Sequence, residues 1–430
     1  MTDPASIALK VVSALRDERF AEVEALFAEP LRAVASADTL QTAWAAEISK
    51  SGPVTSLGDS ALEKMAQGFV RASIVVTQEH GEFTVNMSID DAGALQGLRF
   101  VPVVSAEWAP PAYAKPSKFT EEDVTLAAGS LSVEGTLSLP KKSAPLPAVI
   151  LLSGGGPFDR DETHGINKPL KDIAWGLASR GIVVLRFDKV TQTHSEVANS
   201  PDFTMTEEYV PHAVAGIHML QNHAAVDPAR VFVLGHSMGG KVAPRVGAAE
   251  PSIAGLVLLA ADAVPMQQAA VRVGNYLAEI DPSDANKRAA ETIARQAAAV
   301  DDAGLSVSTP ASALPFGFSA QYWLDMRSYD PVATAASLDK PMFIAQGGRD
   351  YQVTAKDDFS KWKAGLSAQP DKTFHLYEPD NHLFFPGEGK SAPAEYDPPQ
   401  HVDAHVIADV AEWLSPQRGI VALVRKLLRV

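Results

Sequence analysis

The chain contains no cysteine among its 430 residues. Disulfide bonds, thiolate metal sites and a cysteine nucleophile are therefore excluded, although this absence does not identify a cellular compartment. The chain also lacks a long basic cluster, and its formal net charge is −15. Because phosphate binding requires a basic face, this balance argues against nucleic acid as a partner.

Long apolar runs are also missing from the sequence. The first residues carry acidic and basic side chains where a signal peptide needs a continuous apolar stretch. No apolar run reaches the roughly 18 residues that a membrane span requires. We therefore expect a cytoplasmic protein with no stable membrane insertion. Hydrophobic residues make up 46% and charged residues 21%, a composition typical of a folded globular chain.

The first hundred residues change from a helical to an extended pattern. Apolar residues recur three and four apart between residues 4 and 46, which is typical of amphipathic helices. A polar stretch at residues 49–60 then breaks the pattern, and residues 69–104 resemble a meander of strands with short turns. The order predicts a small α+β domain over residues 1–106, followed by a proline-rich linker at 107–119.

Beyond the linker, short apolar runs alternate with helical stretches, which predicts an α/β domain over residues 120–430. Such runs indicate a mostly parallel sheet covered by helices on both faces. The interval between the fourth and fifth runs is too long for an ordinary crossover, and it predicts a helical cap at about residues 263–330. The runs occupy residues 148–154, 182–188, 231–235, 255–261, 342–348 and 373–379.

The segment "GHSMG" at residues 235–239 follows the third of these runs directly. A G-x-S-x-G sequence between a buried strand and a helix is typical of a nucleophile elbow, in which a strained turn exposes the serine at the carboxyl end of the sheet. The bare motif is weak, but this strand-turn-helix context makes it specific. Ser237 is the predicted nucleophile, and the alternative is a tight turn that happens to contain serine.

A serine nucleophile needs a base and an orienting acid, which follow it in this fold in the order acid, then histidine. Asp350 and His382 each follow one of the two remaining apolar runs, so they are the predicted acid and base. Asp262, after the run that succeeds the elbow, is a weaker alternative for the acid. Asp380 lies too near His382 in sequence to support its ring.

The tetrahedral intermediate of acyl transfer needs two backbone N–H donors. One is predicted at Met238, directly after the nucleophile, and the other in the glycine run after the first parallel strand. Gly155 is the first choice there and Gly156 the second. The alternative is a plain glycine turn, and phosphate binding is disfavoured because no G-K-[ST] sequence follows.

Four aromatic residues in the predicted cap either line an acyl or alcohol pocket or form the core of the cap; the sequence leaves both readings open. They are Phe316, Phe318, Tyr322 and Trp323. The charged segments at residues 159–162 and 186–194 are predicted to form structural salt bridges rather than substrate contacts.

Three further features are predicted to have structural roles. His236 lies beside the nucleophile, where its backbone position excludes it as the base, and it is predicted to support the site by packing. His401 and His405 lie four apart on a predicted surface helix with no third ligand, so we predict no metal there. The predicted serine chemistry needs no cofactor. The tail at residues 416–430 resembles a basic amphipathic helix that docks on an acidic neighbour, with a membrane-surface anchor as the alternative.

The motifs "GHSMGG", "QGGRDYQV", "PDNHLFF" and "NKPLKDIAWGLASRGIVVLRFDK" resemble those of bacterial α/β-hydrolases that carry an amino-terminal NTF2-like DUF3887 domain. The resemblance covers nearly the whole chain. It implies an α/β-hydrolase fold, esterase or acyl hydrolase activity, and pairing of copies through the NTF2-like domain. One departure is "SGGGP" at residues 153–157, where such proteins commonly have H-G-S-G-P; the backbone donors survive this change, but a histidine side chain is lost.

Together these features predict a serine hydrolase that cleaves a small-molecule carboxylic ester or thioester through an acyl-enzyme on Ser237. An acyltransferase or cyclase would use the same acyl-enzyme with a different acceptor. A catalytically silent hydrolase fold that binds a small ligand is the non-enzymatic alternative.

Overall fold

The structure, a computed structural model, describes residues 3–32, 35–64, 69–102, 108–143 and 145–415. The chain divides into two compact units, Met1–Glu107 and Trp108–Val430, here called the N-terminal and C-terminal units. The predicted basic helix at residues 416–430 lies outside the described residues. No described helix is long and apolar enough to cross a membrane.

The N-terminal unit packs helices against one face of an antiparallel sheet. Its strands pair in the order β1-β2-β3-β4, and alternate side chains of β2 and β3 are buried, which is the pattern of a sheet with one covered face. Its helices are α1 (Pro4–Arg16), α2 (Phe20–Glu24), α3 (Glu29–Arg32) and α4 (Ala37–Ser51), and its strands are β1 (Val54–Lys64), β2 (Val70–Gln78), β3 (Glu82–Ile89) and β4 (Leu95–Pro102).

Strand β1 corrects the interpretation of residues 49–60 as a break, since residues 54–60 belong to the sheet. Sequence patterning missed this strand because its pairing is irregular. Its pairing with β2 is interrupted by register shifts between Val54 and Ser56 and between Leu57 and Ser60. Bulges of this kind disturb the alternation of apolar and polar residues by which a strand is recognised.

The C-terminal unit is built on an eight-stranded sheet, counted over the described residues, in the order β12-β11-β10-β9-β7-β8-β6-β5. Strands β7 to β12 are parallel to their neighbours within that group, whereas β5 and β6 form an antiparallel hairpin at one edge. The strands are β5 (Phe119–Ala128), β6 (Leu131–Pro140), β7 (Leu146–Leu152), β8 (Val183–Phe187), β9 (Val226–His236), β10 (Gly255–Leu259), β11 (Met342–Gly347) and β12 (Lys372–Tyr377).

The parallel strands are almost continuously apolar because helices cover both faces of the sheet. Ala148, Ile150 and Leu152 of β7 point into one core cluster, whereas Val149 and Leu151 point into the other. The helices are α5 (Pro169–Ala178), α6 (Val190–Thr193), α7 (Met205–Gln221), α8 (Met238–Ala249), α9 (Met266–Ile280), α10 (Asp284–Asp301), α11 (Ala320–Ser328), α12 (Pro331–Ser337), α13 (Ser360–Leu366) and α14 (Ala404–Leu414).

The cap lies between β10 and β11, and α9 is fastened to the loop that follows β11. Arg272 of α9 donates to the Asp358 carboxylate at 2.8 Å and to the Gln352 carbonyl at 2.8 Å. Asp358 is fully buried and also accepts the backbone N–H groups of Ala263 and Val264, both at 3.0 Å. This charged anchor holds the cap over the carboxyl ends of β10 and β11.

Candidate active site

Ser237 occupies a strained turn between β9 and α8. Its φ of 53° and ψ of −122° lie in a region that non-glycine residues rarely adopt. The flanking glycines allow the turn to close: a Cβ on Gly235 would lie 2.1 Å from the Gly239 carbonyl oxygen, and one on Gly239 would lie 2.4 Å from that of Leu152. The sequence therefore has glycine where strand and helix come closest, and the turn presents the Ser237 hydroxyl at the carboxyl end of the sheet.

The structure brings Ser237, His382 and Asp350 into one hydrogen-bonded chain. The Ser237 Oγ lies 3.1 Å from His382 Nε2, and His382 Nδ1 donates to Asp350 Oδ2 at 2.7 Å. All three side chains come from loops at the carboxyl ends of parallel strands, namely β9, β12 and β11. The histidine ring is thus oriented with one nitrogen toward the hydroxyl and the other toward the carboxylate.

The Asp350 carboxylate is fixed on both of its oxygens. Oδ1 accepts the backbone N–H groups of Gln352 at 2.8 Å and Val353 at 2.9 Å, and Oδ2 accepts the Gln346 side-chain amide at 2.9 Å. Asp350 is 5% exposed, so these bonds stand in for the water that the carboxylate has lost. They leave the carboxylate one orientation, facing His382.

Asp262 and Asp380, the other two aspartates considered for the acid, have different surroundings. Asp262 makes no hydrogen bond to His382 and instead lines a cavity beside Ser237; burial raises its pKa, with partial opposition from the Lys241 ammonium. Both carboxylate oxygens of Asp380 are buried with no hydrogen-bond partner among the described residues. Burial, reinforced by the Asp403 carboxylate, raises the pKa of Asp380 to about 8. Neither residue supports the histidine ring.

His236 forms a second buried charge pair, next to His382. Its Nδ1 donates to Glu162 Oε1 at 2.9 Å, and its Nε2 donates to the His382 carbonyl at 2.9 Å. Because both partners are acceptors, the ring carries both protons. Burial disfavours that charge, but the Glu162 carboxylate outweighs it, and the net effect raises the pKa of His236. His236 thereby fixes the backbone of the loop that carries His382.

The predicted oxyanion donors lie in the wall of the cavity that contains the nucleophile. Gly155, Gly156 and Met238 line the same cavity as Ser237. Within the described residues, their backbone N–H groups donate no hydrogen bond, and Met238 is the first residue of α8, where the helix itself supplies no acceptor. Gly156 has a φ of 124°, a conformation that favours glycine. These N–H groups are available to a negatively charged oxygen beside Ser237.

The loop that carries Gly155 is held from behind by buried polar side chains. The Gly154 N–H donates to Glu162 Oε1 at 2.8 Å. The Gly154 carbonyl accepts the Lys189 ammonium at 3.0 Å and the Tyr209 hydroxyl at 2.7 Å. The sequence pattern of the segments containing Glu162 and Lys189 predicts only structural salt bridges. Glu162 follows the glycine run and Lys189 follows β8, and these positions were the signal in the sequence for a role near the site. Tyr209 had no such signal.

Two cavities meet at Gly156, Met238 and Phe318. The larger, of about 620 Å³, contains Ser237 and is lined mainly by apolar residues of α9 and α10 together with Phe316 and Phe318. The smaller, of about 250 Å³, includes Tyr322 and Glu208 in its wall. The fourth predicted pocket residue, Trp323, is instead fully buried in the core, where its indole N–H donates to the Pro315 carbonyl at 3.3 Å.

The mostly parallel sheet and the serine, histidine and aspartate at its carboxyl end are typical of α/β-hydrolases. The Hydrolase_4 family, described as serine aminopeptidase, S33, matches residues 164–388. The chain belongs to this family of α/β-hydrolases. It is an enzyme of the α/β-hydrolase serine esterase class.

Among individual proteins, the chain is similar to Esterase EstD of Thermotoga maritima. The two are 35% identical over 340 residues, which covers 78% of this chain and 77% of that esterase. Similar solved structures include an esterase of Pyrococcus furiosus, with a TM-score of 0.45, 16% identity and coverage of 74% of this chain and 97% of that chain. Est1E from Butyrivibrio proteoclasticus has a TM-score of 0.43, 16% identity and coverage of 68% and 96%.

Proposed function

We propose that the protein hydrolyses a small-molecule carboxylic ester or thioester through an acyl-enzyme on Ser237. The observation that carries this proposal is the continuous chain from Ser237 Oγ to His382 Nε2 at 3.1 Å and from His382 Nδ1 to Asp350 Oδ2 at 2.7 Å. An alcohol is a weak nucleophile at neutral pH, and a hydrogen-bonded base is the standard means of activating it.

In the acylation step, Ser237 Oγ attacks the acyl carbon while His382 Nε2 takes the hydroxyl proton. The imidazolium that forms is stabilised and held in orientation by Asp350. The acyl carbon becomes tetrahedral, and its negative oxygen accepts the N–H groups of Met238 and Gly155, with Gly156 as the second candidate in the glycine run. His382 then gives the proton to the leaving alcohol or thiol, which departs.

In the deacylation step, a water molecule replaces the alcohol. His382 takes a proton from this water, the resulting hydroxide attacks the acyl carbon, and the second tetrahedral intermediate uses the same N–H donors. Collapse of that intermediate returns the proton to Ser237 Oγ and releases the carboxylic acid. An acyltransferase would differ only in this step, because an alcohol or amine would attack in place of water.

The test is steady-state turnover of p-nitrophenyl esters and acyl thioesters by the native protein and by Ser237→Ala. We expect turnover by the native protein and a fall of at least about 10³-fold in the variant. Product analysis with added alcohol or amine distinguishes hydrolysis from acyl transfer. Full turnover by Ser237→Ala would overturn the proposal.

A further inference from the structure

Lys189 lies in an unusual position for a lysine, since its ammonium is buried behind the glycine run. The side chain is 3% exposed, and its Nζ has three partners: the Gly154 carbonyl at 3.0 Å, the Tyr209 hydroxyl at 2.8 Å and Glu208 Oε1 at 2.8 Å. An ammonium has three protons, so each proton has one acceptor. The geometry is that of a fully satisfied polar cluster, and one of its acceptors belongs to the backbone of the oxyanion loop.

The Gly154 carbonyl also accepts the Tyr209 hydroxyl, at 2.7 Å. This carbonyl belongs to the same peptide group as the Gly155 N–H. In a trans peptide the C=O and N–H bonds point in opposite directions. Two hydrogen bonds that draw the Gly154 oxygen toward Lys189 and Tyr209 therefore turn the Gly155 N–H the other way. Gly155 lines the Ser237 cavity, and its N–H donates no hydrogen bond within the described residues.

The preceding peptide group of the loop is held as well. The Gly154 N–H donates to Glu162, the carboxylate that also pairs with His236. A glycine has wide rotational freedom, so a loop of three consecutive glycines needs external bonds to keep one orientation. An oxyanion donor is effective only when it is aimed before the reaction begins.

We propose that Lys189 and Tyr209 are positioning residues that aim the Gly155 N–H at the oxyanion by holding the Gly154 carbonyl. The inference rests on the proposed function, because it assumes that Gly155 serves as a donor to the tetrahedral intermediate. Glu208 supports Lys189 as its counter-ion, and the Thr191 hydroxyl supports Glu208 at 3.1 Å.

The inference is tested with Lys189→Met, which keeps the length of the side chain and removes its donors. We expect kcat on a p-nitrophenyl ester to fall by about 10- to 100-fold, with KM within about threefold of the native value. We also expect affinity for a phenylboronic acid, which forms a tetrahedral adduct with an active serine, to fall by a factor similar to that for kcat. A purely structural role for Lys189 would produce no such parallel.

Lys241→Met is the matched control. Lys241 is another buried lysine of the C-terminal unit, and its ammonium donates to the Val264 carbonyl at 3.0 Å, away from the glycine run. This variant loses a buried ammonium, but we expect its kcat and its boronate affinity to stay within about threefold of the native values. Thermal unfolding of both variants distinguishes a loss of stability from a change in the orientation of the Gly155 N–H.

Tyr209→Phe removes a single hydroxyl and keeps the test available if Lys189→Met does not fold. We expect a fall of about threefold or more in both kcat and boronate affinity for this variant. Native kcat and native boronate affinity in folded Lys189→Met, or in Tyr209→Phe, would overturn the inference while leaving the proposed function intact. Native protein without Ser237-dependent turnover would instead overturn the proposed function.

Discussion

Asp350 and Asp262 both lie at the carboxyl ends of strands near the nucleophile, yet only Asp350 contacts the histidine ring. We predict that Asp350→Asn lowers kcat/KM on p-nitrophenyl acetate by about 10³- to 10⁴-fold, because an amide cannot stabilise the imidazolium or hold its proper tautomer. Asp262→Asn, which alters only the cavity wall, is expected to change kcat/KM by less than about tenfold. The reverse order of effects would make Asp262 the acid.

The buried Asp380 carboxyl is expected to make the folding stability of the protein depend on pH. Burial first, and then Asp403, raise its pKa to about 8, whereas an unfolded aspartate titrates near 3.9, an ordinary value. The folded protein therefore keeps a proton that the unfolded chain loses. The stability that this proton confers is present below about pH 4 and is lost as the pH rises through 8.

The measurement is the free energy of unfolding of the C-terminal unit between pH 5 and pH 9. Native protein should lose up to about 1.4 kcal/mol per pH unit through Asp380, and Asp380→Asn should lack this component. Asp284→Asn, at a side chain that is 84% exposed, controls for the loss of one negative charge. Equal pH slopes in native protein and Asp380→Asn would show that the buried carboxyl does not control this dependence.

Residues with a motif were predictable, and their supporting residues were not. Ser237, Asp350 and His382 follow a fixed chain order and each comes after an apolar strand, so sequence order alone places them together. Glu162, Lys189 and Tyr209 act through buried contacts that join distant parts of the chain. The presence of a charged residue in the sequence does not indicate whether its side chain will be buried against a backbone carbonyl.

The junction of β9 and α8 depends on Gly239. A Cβ there would lie 2.4 Å from the Leu152 carbonyl oxygen and 2.6 Å from that of Ser153, and both atoms are backbone that cannot move aside cheaply. We predict that Gly239→Ala destabilises the C-terminal unit by at least about 2 kcal/mol and reduces esterase activity. Chemical denaturation and turnover measure the two effects.

Gly247→Ala is the matched control on the same helix. An added Cβ there would meet only side-chain atoms, the nearest being Leu338 at 3.1 Å. The loss through crowding is offset by the better helix propensity of alanine, so we expect a change within about 1 kcal/mol. If Gly239→Ala were as stable as Gly247→Ala, the close approach of α8 to β7 would not govern this junction.

Some strands were easier to predict from the sequence than others. The central parallel strands were evident because helices cover both faces of the sheet, and β7 accordingly alternates between two apolar clusters. Strand β1 was missed because its register shifts twice. Burial on both faces leaves a continuous apolar run in the sequence, whereas an irregular register leaves almost no pattern.

Each of the two units has its own apolar core. One described cluster is formed by residues of the N-terminal unit alone, and two others by residues of the C-terminal unit alone. We predict two unfolding transitions in calorimetry. A covalent phosphonate on Ser237 is expected to shift only the transition of the C-terminal unit, and a shift of both transitions together would contradict independent cores.

Pairing of copies through the N-terminal unit stays a prediction from the family resemblance. Sedimentation of the full chain over a range of concentrations tests it, since a dimer in equilibrium with monomer gives a concentration-dependent coefficient. We expect that dependence, and a monomer at all concentrations would refute the pairing.

Intact-mass spectrometry after exposure to a fluorophosphonate tests whether Ser237 is an activated nucleophile. Native protein is predicted to gain the mass of one phosphonyl group, with the label on the peptide that contains Ser237. Ser237→Ala is predicted to gain none. An unlabelled native protein, or equal labelling of the variant, would contradict the assignment of the nucleophile and the mechanism built on it.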